Sequence, residues 1–409
     1  MYIFKAAVLG AGAMGAEIAQ VISFSGLPVI LKDVDQAMLD KGLARIRKIY
    51  QSRVDKGKMS ASDLDSKLSL ITPTLTYDDF GDVDILIEAV PETMKVKQMV
   101  LEDAAKAAPE SAIFASNTSA LSISEMGRYS GRPNKMIGMH FFNPAHIMKL
   151  VEVIHGLDTS QETVDDVVQF TESLRKIPVV VQECPGFLVN RLLSPYLNEA
   201  VLALQEGAAP ATEIDEKMRE WGWPMGPFFL MDMLGLDVAA HVGEYLEQEY
   251  GPRMRGAELF RELVKAGRLG EKSSAGFYGF GTETDEPVKK MIADLQASGQ
   301  VQKGEPGFDP DRLIMPLINE ASLCVEEKIA SVGDIDMAMI AGTGMTYQGE
   351  RVGPLAVADF IGLDVVVAKL EELQKKHGDR FRPSRTLRTK VRAGHLGRKS
   401  GKGFHEYSG

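Results

Sequence analysis

The chain has 409 residues, 44% hydrophobic and 25% charged, an ordinary globular composition long enough for two or three domains with their own cores. A formal net charge of -11 excludes an extended nucleic-acid-binding surface, because phosphate binding runs on lysine and arginine, but leaves room for a local basic patch that meets an anionic small molecule. No apolar run is long enough to span a bilayer, no secretory pattern opens the sequence, and the two cysteines, Cys184 and Cys324, lie far apart, so a soluble cytoplasmic protein without a membrane partner is expected.

Short apolar runs at 6–9, 29–31, 71–74, 85–88, 113–115 and 136–139 alternate with longer amphipathic stretches. Strands separated by helical patterns predict an α/β Rossmann-type domain over residues 1–183, with a mostly parallel sheet and helices on both faces. The first strand runs straight into Gly10-Ala11-Gly12-Ala13-Met14-Gly15, which opens a helix predicted over 13–25. In such a fingerprint one glycine makes the tight turn, one admits a pyrophosphate to the backbone, and one allows close helix–strand packing. The helix N-terminus then supplies N–H groups and a positive dipole end. Asp33 closes the second strand 23 residues after Gly10 (10 to 33), where a carboxylate accepts hydrogen bonds from ribose hydroxyls and repels a 2′-phosphate. No arginine follows directly, so NAD is favoured over NADP.

A longer excursion, 36–68, carries Lys41, Arg45, Arg47, Lys48, Arg53, Lys56 and Lys58 at helical spacing. It reads either as a solvated helical face or as an arm that meets the phosphates of a nucleotide-like substrate. Further on, Gly138-Met139-His140-Phe141-Phe142-Asn143-Pro144 sets a histidine at the carboxyl end of a strand, the end where open α/β sheets bind ligands. The strand-like run 149–154 then holds one carboxylate, Glu152, among apolar residues. A glutamate near a histidine fixes its tautomer and stabilises the imidazolium formed on proton uptake. By itself, a single histidine near a strand end is more often structural, and Glu152 also reads as a surface residue of an alternating strand.

After Pro185 the pattern turns helical, with amphipathic runs at 188–206, 211–221 and 236–249. This half repeats itself. Residues 190–200 match 311–321, so that Arg191 recurs 121 residues on as Arg312 and Asp215 as Asp336. Gly226-Pro227, Gly235-Leu236-Asp237 and Lys272-Ser273 recur as Gly353-Pro354, Gly362-Leu363-Asp364 and Lys399-Ser400, displaced by a short insertion within 337–352. Two repeated all-α domains are expected, at 184–282 and 302–409, with the Gly-, Glu-, Asp- and Pro-rich stretch 281–306 as a linker. Asp311 stands where the first copy has Asn190, so the second copy is expected to be a degenerate duplicate that cannot present the same neutral amide.

Taken together, Ser116-Asn117-Thr118-Ser119, His140-Phe141-Phe142-Asn143-Pro144, Glu152, Pro185-Gly186-Phe187-Leu188-Val189-Asn190-Arg191 and Met225-Gly226-Pro227-Phe228 resemble the L-3-hydroxyacyl-CoA dehydrogenase family. The likeness runs from the glycine fingerprint to Tyr278, and 310–407 resembles the duplicated arrangement in the dehydrogenase part of multifunctional fatty-acid oxidation proteins. The enoyl-CoA hydratase domain of those proteins is expected to have no counterpart here. The resemblance implies NAD-dependent oxidation of (S)-3-hydroxyacyl-CoA to 3-oxoacyl-CoA, in β-oxidation or a short-chain pathway such as 3-hydroxybutyryl-CoA metabolism. It implies His140 as the base toward the C3 hydroxyl, Glu152 as its orienting partner, and Ser119 and Asn190 at the substrate oxygens. It further implies Gly10, Gly12, Ala13, Met14, Gly15, Asp33, Glu92, Lys97, Ser119, Asn143 and Lys272 at the cofactor, and Arg53 at the CoA phosphates. Ile46 occupies the place of the family's serine contact to CoA. No metal is expected, since the nicotinamide takes the hydride and no HExxH or paired CxxC occurs. His140 and Asn190 fall in different domains, so closure is expected to complete the site. Partners are expected to be the acyl-CoA substrate alone, with a monomeric internal pseudo-dimer or association with other β-oxidation enzymes. Competing readings are a hydroxyacid or sugar-acid dehydrogenase that does not use CoA, and a non-catalytic binding or structural relative.

Overall fold

A computed structural model describes residues 2–281 and 284–407, in two compact units, Met1–Phe187 and Leu188–Gly409. The boundary expected at residue 282 lies outside the described residues.

The first unit is one eight-stranded sheet. Its strands are β1 (Ala6–Leu9), β2 (Val29–Lys32), β3 (Ile71–Thr74), β4 (Ile85–Glu88), β5 (Ile113–Ser116), β6 (Met136–Phe141), β7 (Leu150–His155) and β8 (Ile177–Gln182), in the order β3-β2-β1-β4-β5-β6-β7-β8. The strands up to β6 run parallel, β7 pairs antiparallel to β6, and β8 is parallel to β7. The near-continuous apolar runs of β1, β2, β4 and β5 are buried along their whole length, as a sheet covered on both faces requires. The intervening helices are α1 (Ala13–Ser25), α2 (Gln36–Asp55), α3 (Ala61–Leu68), α4 (Met94–Ala107), α5 (Ile123–Ser130) and α6 (Gln161–Ser173). Strand β8, with its mixed Ile-Pro-Val-Val-Val-Gln sequence, goes beyond the strands expected from the sequence.

The 36–68 excursion folds onto the domain. Asp35 caps α2 by accepting from the Met38 amide at 3.0 Å, and Ile46 and Tyr50 are fully buried against α1. The Tyr50 hydroxyl lies 2.7 Å from Ser23 Oγ. Ile46 therefore belongs to the core, which explains why no polar contact is offered at its position.

The second unit is helical: α7 (Val189–Glu206), α8 (Ala211–Trp221), α9 (Pro227–Leu234), α10 (Leu236–Tyr250), α11 (Glu258–Lys265), α12 (Glu286–Ala297), α13 (Asp311–Glu326), α14 (Val332–Thr343), α15 (Pro354–Ile361), α16 (Leu363–His377) and α17 (Arg385–Arg392). The stretch expected as a linker contains helix α12. Val288 and Leu295, on one face of it, are buried, a pattern hidden in the sequence by the Gly-, Glu- and Pro-rich flanks.

Helices α7 and α13 pack against each other at the centre of this unit. Arg191, fully buried on α7, pairs with Glu320 and Glu327 at 2.8 Å each. Arg312, on α13, pairs with Glu199 at 3.1 Å and Glu206 at 2.7 Å. Arg253 adds a second cation to Glu320, and Arg380 a second to Glu199. Each arginine meets the glutamates at the offset positions of the other helix, the reciprocity of an isologous contact.

Flanking helices are tied by carboxylates. Asp215 accepts from the Phe228 and Phe229 amides, and Asp336 from those of Leu355 and Ala356. The third partner differs: Tyr278 donates its hydroxyl to Asp215 at 2.8 Å, whereas His405 Nε2 lies 2.7 Å from Asp336. The Asp336 hydrogen bond raises the His405 pKa above the ordinary histidine value, with Asp359 adding to it. A raised folded pKa stabilises fully below the unfolded value of about 6.5, and that stabilisation is lost as pH rises through the folded value. Asp232, its carboxyl pushed up to about 6 by burial, has the same sign at lower pH. Urea midpoints measured between about pH 6 and about 8 are expected to fall with pH in the wild type and to fall less in His405→Tyr, which installs the non-titrating partner.

Candidate active site

His140 ends β6 and faces Glu152 directly across the antiparallel pair with β7. Opposite residues of such a pair project to the same side with Cβ atoms about 5 Å apart, and here His140 Nδ1 lies 2.7 Å from Glu152 Oε2. Glu152 is fully buried and His140 is 6% exposed. A carboxylate only accepts, so Nδ1 carries the proton and donates, leaving the Nε2 lone pair as the basic atom. Phe142 and Phe187 flank the imidazole, with ring centroids at 4.6 and 5.8 Å. The result is a nearly dry, tautomer-fixed base at the carboxyl end of the sheet.

The neighbouring 116–119 loop is held by a buried network. Glu88, at the end of β4, accepts from Lys97 Nζ at 2.9 Å, from Ser116 Oγ at 2.5 Å and from the Val90 amide at 2.7 Å. Lys97 is 1% exposed and also pairs with Glu92 at 3.0 Å. Glu92 in turn accepts from the Thr118 hydroxyl at 2.6 Å and the Ser119 amide at 2.8 Å. Burial alone would raise the Glu92 carboxyl, but Lys97, Thr118 and Ser119 outweigh it and hold it below the usual range. Lys97 thus sits behind Glu92, with its ammonium enclosed by two carboxylates.

Two residues of this network went unassigned in the sequence reading. Asn117 Oδ1 accepts from the Phe141 amide at 2.8 Å and pins the end of the His140 strand. Glu88 anchors Lys97. The sequence signal for Glu88 was available: a carboxylate closing an otherwise apolar strand, with a lysine nine residues on.

At the glycine turn, a Cβ on Gly10 would fall 2.6 Å from Ala89 O, and one on Gly15 would fall 1.9 Å from Gly10 O. A Cβ on Gly12 would meet open space. Gly12 is the N-cap of α1 and brings no side-chain acceptor, so the first-turn N–H groups around Ala13 and Met14 face outward. Asp33 Oδ2 accepts from the Ala11 amide at 2.7 Å, which clamps the turn and leaves the half-exposed carboxylate beside it. This cradle fits the pyrophosphate and adenosine ribose of a dinucleotide. Asn143 is exposed on the loop after His140. Asn190 lies in the first turn of α7 and Lys272 beside Gly235, where its Nζ is 2.5 Å from Asp237, all three in the second unit. Lys399 makes the same contact with Asp364.

The basic excursion resolves into two faces. Arg45, Lys48, Arg53, Lys56 and Lys58 join Lys149 and Arg175 around a cavity of about 920 Å³, bounded by α1, α2 and the loops that precede β7 and β8. Lys41 and Arg47 do not line it. The Arg53 guanidinium stacks on Phe24 at 4.5 Å, and its buried Nε meets no hydrogen-bond acceptor among the described residues. Lys176, in the cavity wall, donates to the Ala145 and Met148 carbonyls; burial and the nearby Lys149 lower its pKa to about 8.

The sequence model of the 3-hydroxyacyl-CoA dehydrogenase NAD binding domain matches residues 5–184, and that of the C-terminal domain matches 186–279 and again 307–407. The chain belongs to the 3-hydroxyacyl-CoA dehydrogenase family. Its first unit is the family's NAD-binding domain, followed by a helical C-terminal domain. Among its relatives, the fatty acid oxidation complex subunit alpha of Psychrobacter sp. (strain PRwf-1) is 40% identical over 382 residues, covering 90% of this chain but 52% of that protein. The chain therefore spans about half the length of the curated relatives it matches. The crystal structure of 3-hydroxybutyryl-CoA dehydrogenase from Escherichia coli K12 superposes with a TM-score of 0.87 at 29% identity, over 96% of this chain and 99% of that one. The (S)-3-hydroxybutyryl-CoA dehydrogenase of Ralstonia eutropha is 40% identical and covers 68% of this chain, with all of its own length matched, at a TM-score of 0.67. Among the described residues, no helix is long and apolar enough to cross a membrane.

Proposed function

We propose that this chain catalyses the reversible NAD-dependent oxidation of (S)-3-hydroxyacyl-CoA to 3-oxoacyl-CoA in fatty-acid or short-chain acyl-CoA metabolism. The observation that carries the reading is the 2.7 Å contact between His140 Nδ1 and the buried Glu152 carboxylate. Oxidation of a secondary alcohol removes a proton from oxygen and a hydride from carbon. His140 Nε2 takes the proton, and Glu152 holds the ring and stabilises the imidazolium. NAD, when bound, supplies the hydride acceptor. Gly10, Gly12, Gly15, Asp33 and the Ala13–Met14 amides hold its adenosine and pyrophosphate. Glu92, backed by Lys97, together with Ser119 and Asn143 borders its other end, and Lys272 serves it from the helical unit. Ser119 and Asn190 orient the substrate oxygens.

The basic cavity supports a CoA ester over a free hydroxyacid, since CoA brings several phosphate charges that a hydroxyacid lacks. Arg53, with its unpartnered Nε, is the residue we assign to those phosphates.

The helical unit we read as two degenerate copies, 184–282 and 302–409. The reciprocal Arg191–Glu320 and Arg312–Glu199 pairs support an internal pseudo-dimer within a monomeric chain. Only the first copy carries Asn190. Its counterpart, Asp311, pairs with Lys369, which supports a structural role and one active site per chain. Buried Cys184 and Cys324 are in keeping with a reducing, cytoplasmic location.

Deuterium at C3 of (S)-3-hydroxybutyryl-CoA tests the reaction. The label is expected in the reduced cofactor, with a primary isotope effect when hydride transfer limits turnover. Turnover that leaves the label at C3 contradicts the reading.

A further inference from the structure

Glu17 lies in α1, two residues past the glycine fingerprint, and is 1% exposed. It is an acid in the wall of a cavity whose other charged side chains, among the described residues, are lysines and arginines. Burying a carboxylate is costly unless both oxygens are satisfied by charged or strong donors. Here they are. Oε1 accepts from Arg45 Nε at 3.1 Å, and Oε2 lies 2.9 Å from His146 Nδ1.

The choice of atoms matters. With Arg45 held through Nε, its two terminal nitrogens remain as donors; with His146 held through Nδ1, its Nε2 remains, and it donates to a bound phosphate when the ring carries both protons. Both residues line the cavity, from different elements: Arg45 on α2, and His146 on the loop between the strands of His140 and Glu152. Lys176 fixes the same loop from beneath through the Ala145 and Met148 carbonyls.

We propose that Glu17 is a positioning residue for the nucleotide end of the substrate, turning Arg45 and His146 toward the phosphates held in the cavity. This rests on the acyl-CoA reading above. A second physical effect opposes it. A carboxylate lowers the positive potential of the cavity, and on that ground alone its removal would tighten anion binding. Glu17 is already neutralised at contact distance by Arg45, so its long-range field is small, whereas the loss of orientation falls on two donors at once.

The two effects have opposite signs, which makes the test decisive. Binding of adenosine 3′,5′-bisphosphate to the full chain is measured by calorimetry for wild type, Glu17→Gln, Arg45→Gln and the double variant. Glu17→Gln is expected to weaken binding about tenfold, the loss of a charge-assisted hydrogen bond. The double variant is expected to lose less than the sum of the two single effects. In turnover, Glu17→Gln is expected to raise KM for 3-hydroxybutyryl-CoA about tenfold with kcat little altered, and to shrink the preference for that ester over its N-acetylcysteamine thioester by the same factor. Tighter or unaltered bisphosphate binding, no binding by the wild type, or equal losses on both thioesters would overturn the proposal. If neither thioester is turned over, the dehydrogenase reading fails and the calorimetry still decides this one; should Glu17→Gln not fold, Arg45→Gln and His146→Gln carry the same comparison.

Discussion

Replacing His140 with alanine is expected to lower kcat for 3-hydroxybutyryl-CoA oxidation by about 10²- to 10⁴-fold, the usual worth of a positioned general base. The size follows from the geometry: His140 Nδ1 is committed to Glu152, so the ring presents one basic atom. KM for NAD is expected to stay near the wild-type value, because the glycine turn and Asp33 lie on β1, β2 and α1, with β4 and β5 between them and the strand that carries the imidazole. Glu152→Gln is expected to cost less than His140→Ala, since an amide can still orient the ring but cannot stabilise its charged form. Stopped-flow single turnovers at saturating NAD separate the chemical step from release. A His140→Ala rate within a few-fold of wild type would remove the base from the mechanism.

The largest stability effect is expected at Arg191. This side chain is fully buried, and its substitution by alanine leaves Glu320 and Glu327 facing a void where a guanidinium stood. Removing one partner of a buried pair costs about 3–5 kcal/mol because the remaining charge is uncompensated. Arg253 still reaches Glu320 at 3.2 Å, which places Arg191→Ala at the low end, about 3 kcal/mol. Arg312→Ala is expected to cost a similar amount, with Arg380 in the relieving role. Urea unfolding monitored by circular dichroism measures both. A loss under about 1 kcal/mol at Arg191 would show that the pair is no more than a surface-type bridge.

Several of these features could be read from the residues before any coordinates. The glycine fingerprint and Asp33 announced the cofactor turn because each position has one steric or electrostatic demand. His140 and Glu152 could be paired as a hypothesis because they sit on successive strand-like runs. What the sequence left open was direction: β7 turns back antiparallel, and that reversal alone puts the carboxylate opposite the imidazole. The cavity was harder to see, because Glu17, Arg53, His146 and Lys176 come from four separate segments. The charge run at 41–58 was visible, but its division into a cavity face and a solvent face depends on how Ile46 and Tyr50 seat α2 on α1. Helix α12 was missed because turn-forming residues crowd both of its ends. The reciprocal ion pairs were latent in the sequence: Arg191 and Glu199 recur together as Arg312 and Glu320, so a twofold contact between these two stretches would have predicted both bridges.

The central claim is that a histidine–glutamate base serves the hydroxyl of a CoA thioester. One measurement bears on it most directly: NADH formation by the full chain with (S)-3-hydroxybutyryl-CoA, free 3-hydroxybutyrate and gulonate, compared as kcat/KM. The expected result is rapid reduction of NAD with the thioester and rates lower by orders of magnitude with both free acids. Equal or faster turnover of a free acid, or no NADH from the thioester, would contradict it.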